Sequence, residues 1–313
     1  MARRTEKTVE LDGILVVAKP SGPTSHDIVA LVRRLTGVRR VGHGGTLDPF
    51  AAGVLPVFIG HATRMVEYHL SDEKAYRADV VFGSRSTTDD LDGELTPTER
   101  TPPTREALEG ALEGFRGTIE QVPPDYSAVR IAGRRAYELA RHGQKPELRS
   151  RNVEIRELNL LGWDDSDAAR PIGTLEIRCS AGTYVRALAR DLGEHLGCGA
   201  YLAALSRTAS GPFRLEGAHP LDRVREALAN GRAASLLLPS DAGLDGFPRI
   251  SLPADDLGAL SRGQVVRHRG SAEVPGGGSG LLRVFDDRGR LAAMARLEGG
   301  RLHPEKVFVV PGR

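Results

Sequence analysis

Asp48 lies inside GHGGTLDPFAAGVLPVFIG, residues 42–60, a setting that invites chemistry. Gly42, Gly44 and Gly45 permit backbone conformations closed to other residues and a close approach to a bound group. Asp48-Pro49 fixes where the turn ends, and the small residues Ala51, Ala52 and Gly53 leave room for something large. A carboxylate enclosed in this way can serve as nucleophile or proton acceptor. Hydrolysis of a nucleoside or glycoside would need a second acid, for which Asp90, in the acidic run 89–94, is the nearby candidate. The same Asp-Pro step also reads as a helix N-cap followed by N1, the carboxylate accepting backbone N–H bonds. Spacing leaves both readings open.

Elements that would carry such a site can be traced along the chain. GILVVA, 13–18, is a short β-branched apolar run ending at Lys19-Pro20-Ser21-Gly22, which reads as a buried strand entering a turn. Thr24 or Ser25 can cap a helix whose Ile28, Leu31, Val32 and Leu35 form one apolar stripe. Residues 54–59 form a second buried run. KAYRADVVF, 74–82, alternates with strand period and puts Tyr76, Ala78, Val80 and Phe82 on one side. By alternation alone, Tyr76 is a core aromatic facing Phe82. A Pro-rich connector, 96–104, precedes helical spacing at 105–115. Strands are expected at 153–161 and 173–179, and a helix at 183–196, where Arg186 taken alone reads as a helix-face arginine bonded to Asp191 or to solvent. Strands and helices interleave without regular βαβ spacing, which favours an α+β fold with a mixed or antiparallel sheet.

From about Phe247 the texture changes to short alternating runs at 264–268, 281–285, 291–296 and 307–310, broken by Gly-rich turns. The expected organisation is a main domain, 1–246, and a small β-rich domain, 247–313. A length of 313 residues is more than one core usually organises. PGGGSG, 275–280, lacks the Lys-Ser/Thr ending of a phosphate loop and reads as a hairpin loop.

Composition narrows the class. With 40% hydrophobic and 27% charged residues, the chain is an ordinary globular one. Net charge is only +2, but arginines cluster at 33–34, 39–40, 134–135 and 149–151 beside Gly and Pro loops, the pattern of a polyanion-binding surface. Cys179 and Cys198 share no CxxC or zinc-like spacing, so buried thiols are expected rather than a disulfide framework or metal site. The N-terminal MARRTEKTVELDG has no apolar signal region and no run reaches membrane-spanning length, which points to a cytoplasmic protein without membrane association.

Taken in order, these segments resemble the bacterial TruB family of tRNA pseudouridine synthases. Residues 13–22 with Lys19-Pro20 resemble its first motif, 42–60 its catalytic motif, and 74–82 followed by 83–94 its Tyr strand and acidic loop. Residues 121–143 resemble its RNA-gripping insertion, taken to span about 121–152, and Gly182-Thr183-Tyr184-Val185-Arg186 with Asp191-Leu192-Gly193 its Arg motif. The likeness covers about 11–215 of the chain. Ala18 stands where the family often has Asp, and Ser86 where it often has Thr. The tail is similar to the family's PUA-type RNA-binding domain.

The resemblance implies isomerisation of uridine 55 in the T-loop of tRNA. The C1′–N1 bond breaks, the bound base turns, and C5 joins C1′; the product is an isomer, so no cofactor or metal is required. Asp48 would act at the ribose as nucleophile or base, Arg186 would pair with it, and Tyr76 would stack on the base and help remove the C5 proton. Leu205 would line the pocket and His43 would fill the gap left by the flipped base. Asp90 would shape the site, while Lys19, Arg130, Arg134, Arg135 and Arg141 would contact phosphates of the T-stem-loop. A monomer is expected. The competing reading is an RNA chaperone that remodels tRNA without catalysis; it needs the basic insertion and tail but not Asp48, Tyr76 and Arg186.

Overall fold

A computed structural model describes residues 11–127, 129–131, 133–267 and 280–308, and for Arg135 the backbone alone. Most of the expected 275–280 loop, and the ends of the runs expected at 264–268 and 307–310, lie outside these residues.

The main sheet grows from the apolar runs legible in the sequence. Eight of its eleven strands frame the site: β1 (Gly13–Lys19), β2 (Val41–His43), β3 (Ala52–Ile59), β4 (Lys74–Phe82), β5 (Gly117–Gln121), β6 (Arg151–Asp164), β7 (Ile172–Cys179) and β8 (Ala200–Ser210). They lie in the order β1-β3-β8-β4-β7-β6-β5, with β2 paired to β3. β8 runs parallel to β3 and antiparallel to β4. The sheet is thus mixed and the fold α+β, as the irregular interleaving predicts. At the parallel β3–β8 pair, Gly53 (φ 110°) lets the backbones meet so closely that a Cβ there would lie 2.2 Å from the Arg207 carbonyl oxygen.

Helix α1 (Ser25–Thr36) is capped by Thr24 in a reciprocal capping box with Asp27. That frees the buried Ser25 for another task. Helix α2 (Arg105–Leu112) backs the sheet, and α3 (Val185–His195) carries Arg186. A hairpin, Arg130–Ile131 with Arg134–Arg135, and a short helix, Ala136–Arg141, stand in the segment between β5 and β6.

β1 and β3 are buried on both faces, which explains their unbroken apolar reading. Leu15, Val17, Leu55 and Val57 enter the core beneath α1 and α3. Ile14, Val16, Val54 and Phe58 enter a second core that includes Met294 and Phe308. Met294 lies on a strand, Leu291–Glu298, of a separate sheet whose five strands among the described residues fall within 249–267 and 280–307. Lys306 also pairs with Glu67 at 2.6 Å. The C-terminal sheet is therefore joined to the back of the main sheet by a shared apolar core. Met294→Ala is expected to cost about 2–5 kcal/mol in a single unfolding transition that includes the main sheet. Two separate thermal transitions, with only the smaller one shifted, would contradict this.

Candidate active site

The motif around Asp48 folds as a hairpin: β2 pairs with β3 through Val41–Ile59, Gly42–Phe58 and His43–Val57, and residues 44–51 form its loop. Of the three expected glycines, Gly45 takes the positive φ (130°) and Gly44 packs so tightly that a Cβ would lie 3.0 Å from the Phe58 ring. Gly42 does neither.

Every carbonyl from Gly45 to Pro49 has a donor. Arg207 donates to Gly45 (3.1 Å) and Thr46 (3.3 Å), and Ser25 Oγ to Leu47 (3.2 Å) while accepting from the Leu47 N–H (2.9 Å). The Ala51 N–H donates to Asp48 (3.1 Å), and the Gly22 N–H (2.8 Å) and Lys19 Nζ (3.3 Å) donate to Pro49. A loop whose backbone is satisfied from so many sides holds its one carboxylate still. No helix follows Pro49; the chain passes directly into β3, so Asp48 is not an N-cap.

The Asp48 carboxylate instead accepts from Arg186 Nε at 2.9 Å and keeps 32% of its side chain exposed, which leaves a face for a substrate. Arg186 is buried. Its other nitrogens donate to the Thr88 carbonyl (3.0 Å) and the Tyr126 carbonyl (2.9 Å), and Nη1 lies 3.3 Å from Asp90 Oδ2. The surface pairing expected of Arg186 belongs to Arg190, which bridges Asp89 (3.0 Å) and Asp191 (2.8 Å). Burial pushes the Asp90 carboxyl up, while the Thr88 hydroxyl bond and Arg186 act against that push.

Tyr76 and Leu205 lie on neighbouring strands, Tyr76 opposite Arg207 and Leu205 opposite Ala78, and both belong to the core beneath α3. Burial pushes the Tyr76 phenol up despite the nearby Arg207 guanidinium. A cavity of about 560 Å³ reaches Leu205 from the side of Phe50, Arg77 and Leu91. His43 is edge-on to His26 (5.4 Å), and burial together with that neighbour pushes it down to about 4, so its ring is neutral at physiological pH.

Lys19 corrects an expectation. It is 1% exposed, and Nζ donates to the carbonyls of Pro20 (3.0 Å), Pro23 (2.8 Å) and Pro49 (3.3 Å), so its three donors are used inside the protein and none faces a phosphate. Burial pushes it down to about 8 from its ordinary 10.5. Above about pH 8 a deprotonated Lys19 loses one donor, and activity is expected to fall. Stability should move the other way: between these values the unfolded chain binds more protons, so rising pH favours the fold. Lys74, likewise pushed down to about 8, adds to that trend. Lys19→Arg, which stays charged, should hold activity to higher pH. Modification rates and melting temperatures across a pH series check both signs.

Arg130, Arg134 and Arg141 are exposed, and Arg141 sits over the Tyr137 ring (5.7 Å). The residues missed by sequence reasoning are Arg207 and Gln121, and Ser25 was read only as a candidate helix cap. Arg207 is as buried as Lys19 and also donates to the Val54 carbonyl (2.8 Å). Its only signal was a basic residue in an apolar, small-residue strand. Among the described residues no cluster of three or more His, Cys, Asp or Glu could hold a metal, and no helix is long and apolar enough to cross a membrane.

This architecture has counterparts. A solved H/ACA ribonucleoprotein bound to a substrate RNA contains a chain that superposes with a TM-score of 0.71 over 98% of this chain and 88% of that one, at 23% identity. A Cbf5-Nop10-Gar1 complex gives 0.69 over 95% and 85%, at 25% identity. Curated relatives are nearer in sequence. tRNA pseudouridine synthase B of Moorella thermoacetica is 44% identical over 91% of this chain and 94% of its own, and that of Thermobifida fusca 42% over 95% and 98%. The protein is thus an isomerase of the pseudouridine synthase class. Residues 33–185 match the N-terminal domain model of TruB family pseudouridylate synthases, and 186–245 match the C-terminal domain model of tRNA pseudouridylate synthase B. The chain belongs to the TruB family, whose members convert uridine in tRNA to pseudouridine, and the Asp48–Arg186 pair joins the two matched regions.

Proposed function

We propose that this enzyme isomerises uridine 55 in the T-loop of tRNA, with Asp48 acting at the ribose of a flipped nucleotide. The observation that carries this reading is the ion pair of a one-third-exposed aspartate with a buried arginine. A carboxylate fixed by a guanidinium and still open on one face suits attack at C1′ or removal of the 2′ proton. In the first route the Asp48–C1′ bond replaces C1′–N1 and breaks in turn when C5 bonds to C1′; in the second, C1′–N1 breaks as Asp48 takes the 2′ proton, which returns to C2′ as C5 bonds to C1′. In both the C5 proton leaves to solvent and N1 gains one, so atoms balance. Tyr76, whose buried phenol holds its proton, suits a stacking platform better than a proton acceptor. Neutral His43 suits the gap left in the stack, and Leu205 the pocket wall. Asp90 anchors Arg186 from the other side, and Lys19 holds the Asp48 loop. Mapping pseudouridine in unmodified tRNA treated with the enzyme tests the reading: modification at 55 alone is expected, and a product at another position would overturn the site choice.

Residues 1–246 are then the catalytic domain, and 247–313 a PUA-like RNA-binding domain. The enzyme works as a cytoplasmic monomer, without cofactor. Arg130, Arg134 and Arg141 grip phosphates of the T-stem. Replacing all three by Ala should weaken tRNA binding and flatten log K against log salt by about 0.7–0.9 per lost contact. An unchanged slope would remove them from the RNA surface.

A further inference from the structure

Gln121 is fully buried, and its side-chain amide pairs with both backbone groups of a single residue. Nε2 donates to the Tyr184 carbonyl (3.1 Å) and Oε1 accepts from the Tyr184 N–H (2.8 Å). Tyr184 is the N-cap of α3, lacks a capping side chain of its own, and stands two residues before Arg186. A neutral amide donates from its nitrogen and accepts at its oxygen, so it can serve both backbone groups of one residue through two separate atoms.

Gln121 is also the last residue of β5, where it pairs with Arg151 at the start of β6. The insertion leaves and returns between these two residues, and both ends are fastened to the same turn. Arg151 donates to the Gly182 carbonyl and lies over the Tyr184 ring (4.8 Å). Further along, Arg186 holds the Tyr126 carbonyl and Arg190 the Val122 carbonyl (2.8 Å).

We propose that Gln121 is a positioning residue: it fastens the neck of the insertion to the start of α3 and so sets where Arg186 meets Asp48. RNA seated on the insertion would thereby bear on the ion pair without touching it. The inference rests on the reading of Asp48 and Arg186 given above. Small displacements at a reacting centre can cost about 10²-fold, so Gln121→Met is expected to lower the single-turnover rate of pseudouridine formation by about 10- to 100-fold. The Kd for tRNA should change by less than about threefold, since Gln121 is buried away from RNA.

Two further variants separate positioning from plain destabilisation. In Gln121→Glu, the protonated carboxyl reproduces the donor and acceptor of the amide while the ionised form does not, so its rate relative to wild type should recover as pH falls; Gln121→Met should show no such recovery. In an Arg186→Lys background, where the fork of Arg186 is already lost, Gln121→Met should cost less than about threefold more. Rates and Kd are measured below each variant's melting temperature with intact tRNA. A loss residing in Kd, no recovery of Gln121→Glu at low pH, or a full additional loss in the Arg186→Lys background overturns the inference. If Arg186→Lys lowers the rate and Gln121→Met does not, this inference alone fails. If Arg186→Lys leaves the rate unchanged, the reading of the ion pair fails with it.

Discussion

Asp48→Asn is expected to bind tRNA with wild-type affinity and to lower pseudouridine formation by about 10³-fold or more, the scale of losing a nucleophile or base. The substitution is close to isosteric. An Asn carbonyl can still accept from Arg186 Nε, and the five satisfied carbonyls of the loop do not involve the changed atoms. What disappears is the negative charge, and with it attack on C1′ or removal of a proton. Because the loop is held by Arg207, Ser25 and Lys19 rather than by the Asp48 side chain, the melting temperature should move little. Binding by nitrocellulose retention or fluorescence, beside pseudouridine mapping, checks both halves. Wild-type activity would leave Asp48 without a chemical role and would restore the binding-module reading, in which this residue is dispensable. Loss of binding together with activity would assign Asp48 to recognition instead.

The sequence carried the strands and helices because their apolar patterns are local. The unbroken reading of 13–18 and 54–59 followed from burial on two faces, and the partners on the second face, Met294 and Phe308, lie 235 to 295 residues away along the chain. Pairing of Asp48 with Arg186, 138 residues apart, was reached only through resemblance, since no local pattern ties an arginine in TYVRAL to a loop in GGTLDP. Lys19 was misread for a related reason. The phosphate contact was implied by the resemblance, and no residue type near the end of β1 reveals that three carbonyls surround this lysine. Arg207 and Gln121 went unseen, and Ser25 was read only as a candidate helix cap, because each acts on the backbone of a distant segment, and backbone groups carry no side-chain signature. The floor of this site is thus built largely from contacts between side chains and main chain, which a reading by residue type does not detect.

Arg186→Met should abolish activity and destabilise the fold by about 3–5 kcal/mol, the range for stripping one partner from a buried ion pair. Three things go wrong together. The Thr88 and Tyr126 carbonyls lose their donor, Asp90 keeps a buried charge with no cation beside it, and Asp48 faces that charge without the guanidinium between them. The pH dependence distinguishes these contributions. Burial already pushes the Asp90 carboxyl up, and Arg186 opposes the push together with the hydrogen bonds from the Thr88 hydroxyl and the Asp92 N–H, so removing Arg186 takes away part of that opposition and lets the carboxyl rise further. A carboxyl raised in the folded state favours the fold where it is protonated, so the penalty of Arg186→Met should shrink as pH is lowered from neutrality toward 5. Adding Asp90→Asn should recover part of the lost stability at neutral pH by removing the orphaned charge. It should not recover activity, because Asp48 would still lack the residue that orients it. Denaturant unfolding at two pH values, with modification assays on the single and double variants, checks each step. A penalty equal at both pH values would move the cost from Asp90 to the two carbonyls. Activity restored in the double variant would mean that Arg186 serves only to neutralise Asp90.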